Sequence, residues 1–228
     1  PPLSSVVSVQ AVPLPFSLPL DAFTLAKTLI PIPPLPPPIL TPTPPPLLLF
    51  LPGVGEIQRV QEQLSSRVGG DVLLCPLYGA LSLQEQRKAI LPAPVGQRKV
   101  VLATNIAETS LTIEGIRLVV DSAQERVASF DPRTGLTKLL TQRISQASMV
   151  QRAGRAGRLE PGICLHLTSA EQAERAAQQS TPEILQSDLS GLVMDLLQWG
   201  CPDPGQLTWL DSPPAVNLTA ARNLLTQL

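Results

Sequence analysis

The chain has 228 residues, enough for one large domain or two small ones, and its net charge of −1 excludes a global basic field for nucleic acid, so any such contact must come from locally placed arginines. Three widely spaced cysteines (Cys75, Cys164, Cys201) without a CxxC pair, and a single histidine, His166, argue against a zinc site and for reduced thiols. No uninterrupted apolar run reaches the roughly 18 residues of a membrane span, and no basic region precedes an apolar core at the N-terminus, so a cytoplasmic protein with no membrane partner is expected.

Residues 1–46 stand apart. Of the 26 prolines, 15 fall in residues 1–50, where Asp21 and Lys27 are the only charged side chains. Proline removes backbone donors and is excluded from helix interiors and central strands. Polyproline II or disorder is expected over 31–46, with a short helix conceivable over Leu20 to Ile30. PxxP peptides can dock aromatic grooves, but linker is the commoner meaning of such composition. A further reading takes 1–46 as an out-of-frame, corrupted or unrelated segment.

From Leu47 the pattern changes. Leu47 to Leu51 is a short apolar run ended by Pro52-Gly53, a buried-strand signal. Glu56 to Ser66 reads helical, with Ile57, Val60 and Leu64 on one face. Val72 to Leu77 is the next strand. Ser82 with Glu85 forms a capping-box pattern for a helix through about Ile90. Lys99 to Ala103 is a third strand, a short helix follows over about 107–111, and Ile116 to Asp121 is a fourth strand. Strands alternating with helices predict a parallel, doubly wound sheet. Asp131-Pro132-Arg133-Thr134-Gly135 then predicts the turn of a projecting β-hairpin over about Val127 to Ile144. Ser145 is the expected cap of a helix carrying Gln151 to Arg158, and Gly162 to Leu167 reads as a last strand. Helices are expected over 171–178, 188–199 and 216–227. Leu189, Leu192, Val193, Leu196 and Leu197 form an apolar face expected to stay under-buried.

The chemistry concentrates in Gln151-Arg152-Ala153-Gly154-Arg155-Ala156-Gly157-Arg158, three arginines spaced by small residues only. Small residues let the backbone approach closely, and each guanidinium is a positive fork suited to phosphate oxygens. On a helix Arg155 and Arg158 would share one face, the geometry of arginine fingers aimed at a triphosphate; a solvated basic turn is the plain alternative. Upstream, Ala103-Thr104-Asn105-Ile106-Ala107-Glu108-Thr109-Ser110-Leu111-Thr112-Ile113 begins at a strand's carboxyl end, where open α/β sheets bind ligands. Its short polar groups and backbone donors suit a phosphate, although an ordinary helix cap would look similar.

Together these two segments resemble motifs V and VI of the DEAH/RHA-type superfamily 2 ATP-dependent RNA helicases, most closely the bacterial HrpB type, over about Leu47 to Leu228. The resemblance implies an α/β fold: a RecA-like parallel sheet flanked by helices over 47–170, a partial helical, winged-helix-like region over 171–228, and a Pro-rich disordered N-terminus. By the same resemblance, Arg155 and Arg158 stabilise the γ-phosphate of ATP, Gln151 contacts phosphate or lytic water, and Arg152 stays beside the nucleotide, knitting the interface or the helix in place. Thr109, Ser110 and Glu114 belong to the nucleotide cleft; Glu114 stands where many relatives carry aspartate, and a solvated loop glutamate is the alternative. Thr104, Asn105, Tyr78 and Gly79 hold the backbone of single-stranded RNA or DNA, and the hairpin resembles the family's strand-separating element, with Arg126, Arg133, Lys138 and Arg143 placed to meet phosphates; an exposed hairpin with solubilising charges is the alternative.

The chain holds only half of an ATP site. No lysine follows a glycine, so G-x-x-x-x-G-K-[ST] is absent, and no Asp-Glu pair supplies a D-E-x-H. ATP with Mg2+ is therefore expected to be held mainly by a first RecA-like lobe outside these residues. The expectation is the second lobe of an ATP-dependent helicase, inactive alone. The alternative is a non-catalytic nucleic-acid-binding or interaction fragment. A small-molecule α/β enzyme lacks a nucleophile–base pair, since its one histidine lies inside a strand.

Overall fold

The computed structural model describes residues 6–11, 45–109, 111–158 and 161–227. The expected short helix over 20–30, and the polyproline stretch up to residue 44, lie outside the described residues. The chain divides into two compact units. The first is residues 1–125 with 143–179, and the second is residues 126–142 with 180–228.

The first unit is a parallel sheet. Its strands are β1 (Val6–Ala11), β2 (Leu47–Phe50), β3 (Val72–Leu77), β4 (Arg98–Ala103), β5 (Leu118–Asp121) and β8 (Gly162–His166), in the order β1-β8-β5-β2-β4-β3. Every neighbouring pair is parallel. β1 differs from expectation, since it arises within the Pro-rich segment. Val6-Val7-Ser8-Val9-Gln10 is free of proline and rich in β-branched residues, and it pairs with β8 from Gly162 to His166.

The apolar run at the sheet centre is buried on both faces, as a covered parallel strand requires. From β2, Leu48 and Phe50 enter one cluster with Leu77, Val101, Ala103 and Val119. Leu47, Leu49 and Leu51 enter the opposite one with Leu102 and Val120. Helix α1 (Val54–Ser65) covers the second face through Ile57, Val60 and Leu64. The first face is covered by α2 (Leu83–Ile90), α3 (Ile106–Thr109) and α4 (Gln146–Ala153), which contribute Ala89, Ala107 and Ala153. The Ser82 capping box forms as the sequence predicts: Glu85 N–H donates to Ser82 Oγ at 3.3 Å, and Ser82 N–H donates to Glu85 Oε2 at 3.0 Å. A short helix, α5 (Ala170–Glu174), completes the unit after β8.

The second unit contains the predicted hairpin, β6 (Gln124–Asp131) paired with β7 (Leu136–Arg143). Its turn is set by Asp131, whose Oδ1 accepts from Arg133 N–H at 3.0 Å, and by Gly135 at φ 67°. Helices α6 (Ser190–Gln198) and α7 (Ala215–Gln227) pack through Leu189, Val193 and Ala221. The apolar face expected to stay under-buried is largely covered: Leu189, Val193 and Leu196 are buried and Leu192 is half-buried, while Leu197 stays exposed. The covering element is α7.

Candidate functional site

The carboxyl ends of the central strands are laced by one line of backbone hydrogen bonds. Thr104 N–H donates to Leu77 O at 3.2 Å, Leu51 N–H to Ala103 O at 2.8 Å, and Ser122 N–H to Phe50 O at 3.1 Å. β3 and β4 are neighbours with Leu77 opposite Ala103, so Tyr78-Gly79 and Thr104-Asn105 leave the sheet side by side. Tyr78 and Thr104 are half-buried; Gly79 and Asn105 are exposed. The sequence named these four together, and the sheet order brings them together at the strand ends, where open α/β sheets take ligands.

α3 starts immediately after Asn105 and lasts one turn. It carries Glu108, for which the sequence predicts no role. The Glu108 carboxylate accepts from Arg152 Nε at 2.9 Å, while its backbone carbonyl accepts from Arg155 Nε at 2.8 Å. Arg155 also donates through one terminal nitrogen to Leu111 O at 2.6 Å and through the other to Glu108 O. Arg158 donates to Thr112 Oγ1 at 2.9 Å. All three arginines of the motif therefore face the 108–112 segment.

The helix expected to carry the whole motif stops early. α4 ends at Ala153 with Gly154 as its cap, and 154–158 is a turn with i→i+3 bonds from Arg155 N–H to Arg152 O (3.1 Å) and from Ala156 N–H to Ala153 O (3.0 Å). The two glycines, with low helix propensity, end the helix there. Arg155 and Arg158 consequently do not share a helical face: Arg155 is buried and Arg158 is exposed. Burial and the nearby Arg158 charge bring the Arg155 guanidinium below the usual arginine range, opposed by Glu108.

Arg152 is the deepest of the three, 1 % exposed, with its guanidinium 4.9 Å from the centre of the Phe50 ring. Besides Glu108 it donates to Asp121 Oδ1 at 2.8 Å and to Gln124 O at 3.2 Å. Burial works against its charge, but Asp121 and Glu108 outweigh burial and hold the proton more firmly than usual. Arg152 thereby ties α4 to Glu108 of α3 and to Asp121 of β5. Asp121 is the hub of the arrangement. Its Oδ1 also accepts from Ala123 N–H at 3.0 Å, and His166 Nδ1 donates to its Oδ2 at 3.0 Å. Burial pushes the Asp121 carboxyl up, but His166 and Arg152 together hold it below the usual carboxylate range. His166 lies in β8, as expected, with its Nε2 3.6 Å from Cys164 Sγ, and burial pushes that thiol up. Ala123 takes a left-handed φ of 57°, rare without glycine, at the point where the chain leaves Asp121 for the hairpin.

Three other expected residues lie at the surface. Gln151 is exposed in the last turn of α4, Thr109 is exposed at the end of α3, and Glu114 is exposed beside Gly115 at φ 75°. Ser110 lies outside the described residues. As a test of fit for ATP, exposed Arg158 offers a cation beside Thr112, and buried Arg155 offers one only by exchanging its carbonyl partners. Among the described residues no group of three or more His, Cys, Asp or Glu is arranged to hold a metal ion. Among the same residues no helix is long and apolar enough to cross a membrane.

Residues 40–160 match the family described as "Helicase conserved C-terminal domain". Over 182 residues the chain is 82% identical to the ATP-dependent RNA helicase HrpB of Escherichia coli (strain K12), covering 80% of this chain and 22% of that protein. It is 41% identical over 177 residues to the probable ATP-dependent RNA helicase DHX34 of Homo sapiens, covering 77% of this chain and 16% of that protein. A crystal structure of the Escherichia coli DEAH/RHA helicase HrpB superposes with a TM-score of 0.83 at 70% identity, covering 97% of this chain and 27% of that one. The chain thus spans 22% of the length of the first of these relatives and 16% of the second.

Proposed function

Because the chain belongs to the helicase conserved C-terminal domain family, we propose that it is the second RecA-like lobe of an ATP-dependent RNA helicase. Its role there is to supply arginines to ATP hydrolysis and backbone contacts to single-stranded nucleic acid. One observation carries this reading above the others. A single segment, 104–112, begins at the strand-end turns suited to a nucleic-acid backbone and ends on the arginine turn.

In the proposed division of labour, Thr104, Asn105, Tyr78 and Gly79 grip the sugar-phosphate backbone without reading bases. The low aromatic content, 3%, leaves few platforms for base stacking. Arg158, exposed and next to Thr112, meets the charge that develops on the terminal phosphate. Arg155 joins it when its carbonyl partners in the 108–112 segment are exchanged for phosphate oxygens. Gln151 contacts phosphate or the attacking water, and Thr109, Ser110 and Glu114 line the nucleotide's cleft. Arginines placed in this way contribute about 10³–10⁵ in rate where they act. Magnesium bound with ATP would neutralise phosphate charge, and it would be held mainly by the first lobe, which would also supply the phosphate loop. Work on RNA of this kind fits a cytoplasmic protein without a membrane partner.

The test uses an intact relative. Replacing the arginine that matches Arg155 or Arg158 with alanine is expected to abolish RNA-stimulated ATP turnover while RNA binding persists. Loss of RNA binding instead would reassign both residues. These 228 residues alone are expected to hydrolyse ATP no faster than buffer; RNA-stimulated turnover by the pure chain would refute that. A second reading, a non-catalytic nucleic-acid-binding fragment, describes the same chain acting without its partner lobe. It is favoured by the lysine inventory, in which none of Lys27, Lys88, Lys99 or Lys138 follows a glycine.

A further inference from the structure

β8 opens with Gly162, fully inside the fold, and its missing side chain is the seat of the arginine turn. A Cβ built at Gly162 would stand 2.0 Å from Ala156 O, 2.5 Å from Ala156 C and 2.8 Å from Arg117 O. All three are backbone atoms, so no rotamer change can make room. The strand itself is pinned on the other side, since Ile163 N–H donates to Arg117 O at 2.8 Å and Arg117 Nε donates to Pro161 O at 3.3 Å. Only glycine allows two backbones to approach so closely. Ala156 sits between Arg155 and Arg158 in the chain, so whatever moves Ala156 moves both guanidinium groups.

We infer that Gly162 is a positioning residue for the arginine turn: by carrying no side chain it sets how deeply 154–158 lies against the sheet, and so keeps Arg155 on the carbonyls of Glu108 and Leu111 and Arg158 on Thr112. The inference rests on the proposed function only for its consequence, that these two arginines meet a phosphate. Its geometry stands without that reading. Any side chain at 162 lifts the turn and takes Arg155 off its two carbonyls. Arg152, held independently by Asp121 and Glu108 and contained within α4, stays in place.

Arginine-selective labelling of the 228-residue chain with phenylglyoxal, read residue by residue by mass spectrometry, tests this without ATP or nucleic acid. In the parent chain Arg155 and Arg152 are protected and Arg133, its side chain 89% exposed, gives the unprotected rate. Gly162→Ala is expected to raise the Arg155 rate by at least about tenfold, the factor equivalent to about 1.4 kcal/mol, and to leave Arg152 protected. Gly55→Ala makes the same chemical change in α1 with nothing within 4 Å of the new methyl, and is expected to change neither. Unchanged Arg155 protection in folded Gly162→Ala overturns the inference, as does a parallel rise at Arg152, which would mean general loosening. If Gly162→Ala does not fold, hydrogen exchange of the parent chain decides: Ala156 and Ile163 amides exchanging together support a seated turn, and Ala156 exchanging freely while Ile163 is protected overturns it. None of these outcomes bears on whether the intact helicase needs Arg155 and Arg158 for turnover.

Discussion

Replacing Arg152 with methionine probes the buried ion-pair system directly. The substitution keeps length and apolar volume but leaves Asp121, 0 % exposed, facing a thioether in place of a guanidinium. Removing one member of a buried pair costs about 3–5 kcal/mol, because the remaining charge stays buried and uncompensated. Two charge-assisted hydrogen bonds, to Glu108 at 2.9 Å and to Asp121 at 2.8 Å, lead to a similar range, at about 1.5–3 kcal/mol each. With a urea m-value of about 2 kcal/mol/M, the unfolding midpoint followed by far-UV circular dichroism falls by about 1.5–2.5 M. Arg152→Met combined with Asp121→Asn should lose less than the two single changes added together, because each single variant strands the other's charge. The pH dependence has a defined sign. The folded Asp121 pKa is depressed, so its contribution is complete above the unfolded value of about 3.9 and is lost as pH falls through the folded value. The midpoint gap between the parent chain and Asp121→Asn is therefore expected to be constant from pH 5 to 8 and to shrink only below about pH 4. A midpoint shift under about 0.5 M for Arg152→Met, or strict additivity in the double variant, would refute the account.

Three smaller perturbations follow from the same geometry. Lys99 is 1 % exposed and donates to Ala89 O at 2.7 Å and to Leu91 O, closing the carboxyl end of α2; Lys99→Met is expected to lose about 1–3 kcal/mol by orphaning those carbonyls, read as a lower urea midpoint. Ser82→Ala removes the capping box of α2 and is expected to cost about 1 kcal/mol, with faster hydrogen exchange at the Glu85 amide. Asn105→Ala removes an exposed amide at the strand-end turn and is expected to weaken a labelled single-stranded RNA by roughly three- to tenfold in low-salt anisotropy. Added salt should weaken the parent chain's binding steeply, and binding indifferent to salt would rule out phosphate contacts as its source.

What the sequence conveys well is whatever local pattern decides. The apolar runs at 47–51, 100–103 and 118–120 become the covered strands β2, β4 and β5, because a parallel strand hidden on both faces has no polar alternation to confuse the reading. Ser82 and Ser145 cap the helices they were expected to cap, and the Asp131–Gly135 turn forms, because each depends on partners within three or four residues. Three features were not legible, for different reasons. β1 is a short proline-free, β-branched stretch inside a Pro-rich segment, and its partner β8 lies more than 150 residues away in sequence. The arginine motif leaves the helix after Ala153, since two glycines and a close seat at Gly162 outweigh the alanine-rich helical pattern. The Glu108–Arg152–Asp121–His166 system joins residues 31 to 45 positions apart, and only the sheet order brings them together.

One motif thus gives three arginines three environments, and the reason is depth along a single descending turn. Arg152, inside α4, is neutralised by two carboxylates and stacks on Phe50, so it is fully committed to the fold. Arg155, past the helix end, donates among the described residues to carbonyl oxygens, which carry partial charge, whereas a phosphate offers a full one. Arg158, exposed, donates to the Thr112 hydroxyl among the described residues and has the least there to give up. The readiness of each guanidinium to accept an anion therefore rises along the motif, from the ion pair through the carbonyls to the hydroxyl. Lysine could not reproduce the first two positions, because each uses several nitrogens of one planar fork on separate acceptors. Arg152→Lys should therefore destabilise the chain much as Arg152→Met does, whereas Arg158→Lys should leave its stability unchanged. Equal stability losses for the two lysine variants would show that depth does not separate the arginines.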